Sequence, residues 1–356
     1  MPNRESRGPG AGEGPAQASS LQSPACISEL TERELISRIH ARLPPAPDWL
    51  TVGIGDDAAV VEPARNRLEV LSVDALVEDV HFDRAFTPPA AIGHRALAVN
   101  LSDLAAMGAT PRLALLSLAL PATFLIDDFD RMIDAMAALA LRFRITIAGG
   151  NLTRIDGPLV IDVTVAGSAK RRQALTRRGA RPGDDLYVTG SIGGASAGLR
   201  MLQAQSKSSL APASSDCIGR YLYPEPRVRL GTLVGRNRAA SACIDLSDGL
   251  ADAVHQIAEA SGVGVIVDAD ALPIEPAARR WFEAAGSDPT EAALTGGDDY
   301  ELLLTVRPAL RRRLAAAERH GDAPLTRIGT CTADRAVLLR RNGVECPLPH
   351  GFSHFR

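Results

Sequence analysis

Short β-branched runs alternate with stretches of 3.6-residue apolar period along most of this chain. The alternation breaks once, near residues 168–183, at the basic segment SAKRRQALTRRGARPG. Strand-then-helix order in two series restricts the fold to layered α/β architectures, in which helices cover sheets. At 356 residues the chain exceeds one ordinary core, so two domains are expected. They are residues 28–169 and 170–356, after a Gly-, Pro-, Ser- and Ala-rich stretch, 1–27, that reads as a disordered tail.

Thr31 and Glu34 have capping-box spacing, and Leu35, Ile36, Ile39 and Leu43 share one face, which predicts a first helix. Strand-like runs follow at 51–61 and 68–74. A helix is expected over 88–107, opened by Pro88 and Pro89 and closed by Gly108. Leu113–Leu120 reads as a buried strand. The next helix carries Phe129, Met132, Ile133, Met136, Leu139 and Phe143 and is capped by Asp127 or Asp128. Ile145–Ala148 reads as a strand stopped by Gly149 and Gly150, and Leu159–Val165 as a half-exposed one. The second series has strands at 185–189, 241–246, 263–268, 300–306 and 325–329, with Gln203–Cys217 as a surface loop. The closing HGFSHFR is short and aromatic and suits packing back onto the second domain.

Acidic residues recur at the ends of these strands. Asp56 and Asp57 lie in GIGDDAAVV, Asp74 ends LEVLSVD, and Asp103 follows Asn100 in AVNLSDLAAMG. Asp245 and Asp248 lie in ACIDLSDGLAD, and Asp298 and Asp299 in TGGDDYELLL. Ligands of open α/β sheets bind beyond strand ends. Carboxylates converging there repel one another unless cations intervene, and an all-oxygen set suits Mg²⁺. Each acid taken singly has a plainer reading as a helix cap or turn residue. Their number in both halves weighs against caps alone.

Other features exclude whole classes. Net charge is −3, so no basic field argues for nucleic acid. No apolar run is long enough to span a bilayer. Five scattered cysteines form no C-x-x-C pair, which fits a reducing cytoplasm. The two lysines, Lys170 and Lys207, follow no G-x-x-x-x-G, so there is no P-loop; if phosphates are handled, arginines, backbone N–H groups and metals must carry the charge. TGSIGGASAG opens a helix, but its spacing is not a dinucleotide fingerprint, and it reads as a close-packing turn. His81, taken alone, reads as structural. The arginines of 171–181 read as a solvated face from which one or two could clamp a nucleotide phosphate.

Taken in order, GIGDDAAVV, SVDALVEDVHF, ALAVNLSDLAAMGATP, AGGN, ALTRRGARPGD, YVTGSIGGASAGL, IDLSDGLADA and GGDDYEL resemble the thiamine-monophosphate kinase family. That family sits in the aminoimidazole-ribonucleotide-synthetase-like superfamily. The resemblance implies a two-domain α/β (α+β) fold: an N-terminal α/β domain forms a dimer-interface barrel, and a C-terminal α/β domain follows it. It implies transfer of the ATP γ-phosphoryl group to thiamine monophosphate, with several Mg²⁺ ions, in a cytoplasmic homodimer. The family's magnesium ligands fall on Asp57, Ser72, Asp74, Asp103, Asp245 and Asp248, with Asp56 adjacent and Asn151 in reach through its carbonyl. Asp57, Asp103 and Asp245 are the acids on which catalysis would rest most. Nucleotide contacts fall on Gly150, Asn151, Arg177 and Ser247, and acceptor contacts on His81, Asp298 and Phe352. The chain departs from the family pattern at Val73 for threonine, Asn151 for aspartate, Asp298 for glutamate and Phe352 for tyrosine. Alternatives left open are an ATP-dependent ligase or maturation factor of the same superfamily, and a nucleotide-binding relative without catalysis.

Overall fold

Capping and periodicity set the first elements of the computed structural model, which describes residues 25–207 and 215–351. A 3-10 turn at Ile27–Glu29 precedes α1 (Glu32–His40), whose Thr31 and Glu34 exchange the two bonds of a capping box. Ile27 is buried, and its N–H donates to the Phe124 carbonyl. Then come β1 (Leu50–Val52), β2 (Val60–Val61), β3 (Leu68–Val77), α2 (Pro89–Ala106), β4 (Thr110–Pro121), α3 (Ile126–Phe143), β5 (Thr146–Ile155) and β6 (Val160–Ala169). Strands β3, β6, β4 and β5 form one sheet in that order, antiparallel except for the parallel β4–β5 pair.

The second series runs β7 (Asp185–Thr189), α4 (Gly194–Lys207), α5 (Ser215–Leu222), α6 (Val228–Asn237), β8 (Ala242–Asp245), α7 (Leu250–Ser261) and β9 (Gly264–Asp268). It closes with α8 (Pro276–Ala284), α9 (Pro289–Thr295), β10 (Leu302–Val306), α10 (Arg311–Glu318), β11 (Leu325–Thr332), β12 (Val337–Arg341) and β13 (Val344–Pro347). These strands form a seven-stranded sheet, β13-β12-β9-β11-β7-β10-β8, with β9–β12 its parallel pair. Fully buried Glu301 ties α5 and α6 to this sheet through ion pairs with Arg220 and Arg227. Both sheets carry helices, and the two-domain α/β (α+β) class expected from sequence is the observed one.

The helix α2 is wedged between the sheets. Fourteen of its 18 residues are buried, so it is apolar on nearly every side, as a helix enclosed by protein must be. One continuous core takes in Leu97, Leu101 and Leu104 of α2, Met132 and Met136 of α3, and Leu302, Leu304 and Leu230 from the second domain. Small residues set the approach. A Cβ on Gly93 would collide with the Met132 backbone in α3, and one on Gly231 in α6 would collide with the Ala105 carbonyl of α2.

Several local expectations need correction. The run 51–61 is two short antiparallel strands separated by the loop 53–59, because Gly53, Gly55 and two adjacent aspartates resist continuous pairing. Gly149 and Gly150 do not stop β5 but pass through it, opposite Leu115 and Leu116. A Cβ on Gly150 would strike the Leu116 carbonyl, so the glycine lets the strands close at a register shift. Asp127 and Asp128 occupy the first turn of α3, with Leu125 at the cap position and no side-chain cap bond. Within the stretch expected as a loop, 203–207 and 215–217 are helical, while 208–214 lie outside the described residues. The hairpin β12–β13 carried no strong alternation and escaped sequence reading.

Candidate active site

Neighbouring positions on α2 face different domains. Residues 95 and 102 stand two turns apart on one side, and 100 and 103 share another. From the second side, the Asn100 side-chain oxygen accepts the Asp74 N–H at 3.1 Å, and the Asp103 carboxylate accepts a short bond from the Ser72 hydroxyl. On β3, Ser72 and Asp74 alternate with the exposed Leu71 and Val73, so they share the face turned to α2. From the first side, the buried Ser102 hydroxyl donates to Asp245 Oδ2 at 2.7 Å, at the end of β8. The helix thereby brings acids of both domains to one place.

Their titration reflects that crowding. Loss of water raises Asp74 to about 7, with Asp103 and Asp245 adding like charge. Burial, then Asp103, raises Asp245 to about 6. Burial also raises Asp103, against the lowering effect of its bond from Ser72. The Arg177 charge lowers Asp103 and Asp245, which sets this exposed arginine within electrostatic reach of both. Its guanidinium donates to the Gln256 side-chain oxygen at 2.5 Å.

The other residues singled out in the sequence lie on separate loops and strands. Asp56 and Asp57 are exposed on the loop 53–59, and the Asp57 N–H donates to Asp56 Oδ1 at 2.9 Å. The pair is therefore hydrated by solvent in this arrangement. Asn151 is exposed, lies opposite Ser117 in the β4–β5 register, and donates to the Thr153 hydroxyl at 3.0 Å. Ser247 and Asp248 follow β8 at the bend into α7, the first exposed and the second half-buried. Among the described residues, no three His, Cys, Asp or Glu side chains stand close enough to hold a metal ion by themselves.

His81 follows β3 in a tight turn, where its Nδ1 accepts the Val77 N–H at 3.1 Å. It lines a cavity of about 400 Å³ with Phe82, Phe86, Leu199, Gln203 and Tyr221. Asp298 has a positive φ of 69° and accepts on Oδ1 from buried Arg95 at 3.2 Å and from the Tyr300 hydroxyl at 3.1 Å. Burial opposes the Arg95 charge, yet Asp298 and the tyrosines more than offset it, and its pKa is raised. Phe352 lies outside the described residues. Ahead of it, His350 stacks on His255 of α7 at 4.7 Å, and His255 contacts the Pro349 carbonyl at 3.2 Å.

The glycine-rich turn is a packing device. Buried Asp299 accepts the Gly193 N–H at 2.6 Å and the Ala195 N–H at 3.1 Å, filling the start of α4. Burial raises Asp299 to about 7 against those two bonds. Sequence reasoning missed Ser102 and Arg95. Ser102 was within reach because it adjoins Asp103 in NLSD, whereas nothing local marks Arg95.

The first half of the site and fold matches the model described as AIR synthase related protein, N-terminal domain, over residues 55–169. The model described as AIR synthase related protein, C-terminal domain, matches residues 181–340. A thiamine-monophosphate kinase of Escherichia coli is 38% identical over 331 residues, 91% of this chain and 98% of that protein. The crystal structure of thiamine-monophosphate kinase from Stenotrophomonas maltophilia is similar with a TM-score of 0.78 and 40% identity, covering 89% of this chain and 98% of that one. The structure of AaThiL complexed with AMPPCP and TMP is similar at 0.73 and 30% identity, covering 94% and 100%. The chain belongs to the thiamine-monophosphate kinase family of AIR synthase related proteins.

Proposed function

We propose that the chain is a thiamine-monophosphate kinase, transferring the γ-phosphoryl group of ATP to the phosphate of thiamine monophosphate to give thiamine diphosphate and ADP. The observation that carries this reading is the approach of Ser72, Asp74, Asp103 and Asp245 across both sheets, with the proton affinities of the three acids raised first by burial and, for Asp74 and Asp245, then by neighbouring carboxylates. Its membership of the kinase family supports the same conclusion, as does the similarity to AaThiL complexed with AMPPCP and TMP.

The acceptor is itself a phosphate, largely ionised at neutral pH, so no general base is needed. The barrier is repulsion between two anions, and positioning with charge compensation can lower it. The all-oxygen set suits a hard divalent cation, and Mg²⁺ keeps several waters and takes one or two carboxylates plus phosphate oxygens. Carboxylates within electrostatic reach of one another but not closed into a cage fit that habit. Bound Mg²⁺ would neutralise and align the phosphate oxygens.

In this reading Asp57, Asp103 and Asp245 are the principal acids, with Asp56, Ser72, Asp74, Asn151 and Asp248 completing the oxygen donors. Gly150, Asn151, Arg177 and Ser247 meet the nucleotide. His81, Asp298 and Phe352 meet the acceptor. The aromatic lining beside His81 suits a flat heterocycle, with Phe82 and Tyr221 both buried. Residues 28–169 supply most of the metal donors and the dimer contact, and 170–356 the rest of the site.

The active form is a homodimer whose four-stranded sheets pair into a barrel. Leu71, Val73 and Leu115 support this: they are 68%, 56% and 37% exposed on the sheet face away from α2. Incubation with ATP, Mg²⁺ and thiamine monophosphate, followed by chromatography of the thiamine compounds, tests the reading. Thiamine diphosphate is the expected product; unchanged thiamine monophosphate would refute it.

A further inference from the structure

Arg95 of α2 is a buried cation to which the chemistry above gives no task. It is 1% exposed and reaches from the first domain into the second. Nη2 donates to Asp298 Oδ1 at 3.2 Å, Nη1 donates to the Tyr221 carbonyl, and the guanidinium carbon lies 4.4 Å from the centre of the Tyr221 ring. Its buried Nε has no partner among the described residues. A core built only for stability would place an apolar side chain here, because a buried guanidinium with an open N–H is costly.

What the cation holds is itself strained. Asp298 and Tyr300 both have positive φ, 69° and 50°, where non-glycine residues cost about 1 kcal/mol or more each. The Asp298 N–H donates to the Ser247 carbonyl at 2.8 Å, so the strained segment adjoins the proposed nucleotide contact. The Asp298 side chain keeps 29% exposure. Among the described residues, both side-chain bonds fall on Oδ1, from Arg95 and from Tyr300.

We propose that Arg95 is a positioning residue for the acceptor: it fixes the Asp298 carboxylate through Oδ1 and leaves Oδ2 for thiamine monophosphate. Through Tyr221, whose hydroxyl donates to the His81 carbonyl at 3.5 Å, the same anchor reaches the other acceptor contact. This rests on the reading of Asp298 as an acceptor contact. Arginine is required because its planar fork serves two acceptors in fixed directions while its face lies on a ring, which lysine cannot reproduce.

Steady-state constants for both substrates, with thermal melts, test the assignment in wild type, Arg95→Lys, Asp298→Asn and the double variant. In Arg95→Lys the KM for thiamine monophosphate should rise about tenfold, in keeping with the effect of small misplacements at a site. The KM for ATP should stay within about twofold, as expected for an effect confined to one subsite. The double variant should be no worse than Asp298→Asn alone, since both act through one carboxylate. An unchanged acceptor KM, an equal rise for both substrates, or multiplicative effects would overturn the proposal. If Arg95→Lys does not fold, Tyr300→Phe withdraws the other Oδ1 donor and must raise the acceptor KM alone; no rise there overturns it. A wild type inert towards thiamine monophosphate would overturn the functional reading and this assignment with it, whereas an active wild type with an indifferent Arg95→Lys overturns only the positioning role.

Discussion

At the scale of single residues, the decisive property is like charge brought together between the sheets, with Asp245 buried among it. Asp74 and Asp245 titrate at about 7 and about 6 against an ordinary 3.8, so the folded protein binds protons that the unfolded chain releases. Their contribution to stability is therefore full below about 3.8 and lost as pH rises through 6 to 7. Asp245→Asn keeps an oxygen for the Ser102 hydroxyl and removes one charge. Without Mg²⁺, its stability relative to wild type should improve by about 1–3 kcal/mol between pH 4 and pH 7, read from melting curves. Added Mg²⁺ should raise the wild-type melting temperature more than the variant's. Turnover should fall by about 10²-fold or more in the variant. A stability gap independent of pH would contradict the account. Asp103 and Asp245 were legible in the sequence only as members of a series of acids at element ends, since each alone reads as a cap or turn residue. Arg95 was not, because its meaning depends on Asp298, 203 positions away, and no local pattern encodes that contact.

Among elements, α2 carries the most consequence, since it touches both sheets and presents Asn100, Ser102 and Asp103 to them. Its approach to α3 depends on Gly93, which has no room for a side-chain carbon. Gly93→Ala should cost about 1–3 kcal/mol through overpacking, despite the better helix propensity of alanine. Chemical denaturation checks this, and a stabilised variant would show that the helices can move apart. The starts of α1 and α2 and the span of β7 were readable because a capping box, a pair of prolines and an apolar run leave few options, whereas α1 ends at His40, short of Leu43 and the prolines expected to close it. The loop 53–59 and the passage of β5 through two glycines were not. Both depend on which strand lies alongside, and glycine reads as a breaker until its neighbour is known.

For the whole molecule, the account couples assembly to chemistry. The exposed face carrying Leu71 and Val73 belongs to the same strand as Ser72 and Asp74, so the proposed dimer contact and part of the candidate site share β3. Leu71→Glu should convert a species of twice the chain mass into one of single mass in sedimentation velocity, with activity falling alongside; a wild type that sediments as a monomer would contradict the dimer. The layered two-domain plan was visible in the order of strand and helix patterns, whereas the proposed pairing of sheets would depend on a second copy, which one chain's pattern does not encode. The most direct test of the central claim follows the transferred group itself. ATP labelled at its γ-phosphorus is mixed with the protein, Mg²⁺ and thiamine monophosphate, and the labelled products are separated. The account predicts label in the terminal phosphate of thiamine diphosphate in step with ADP; label appearing only as free phosphate, or remaining in ATP, would contradict it.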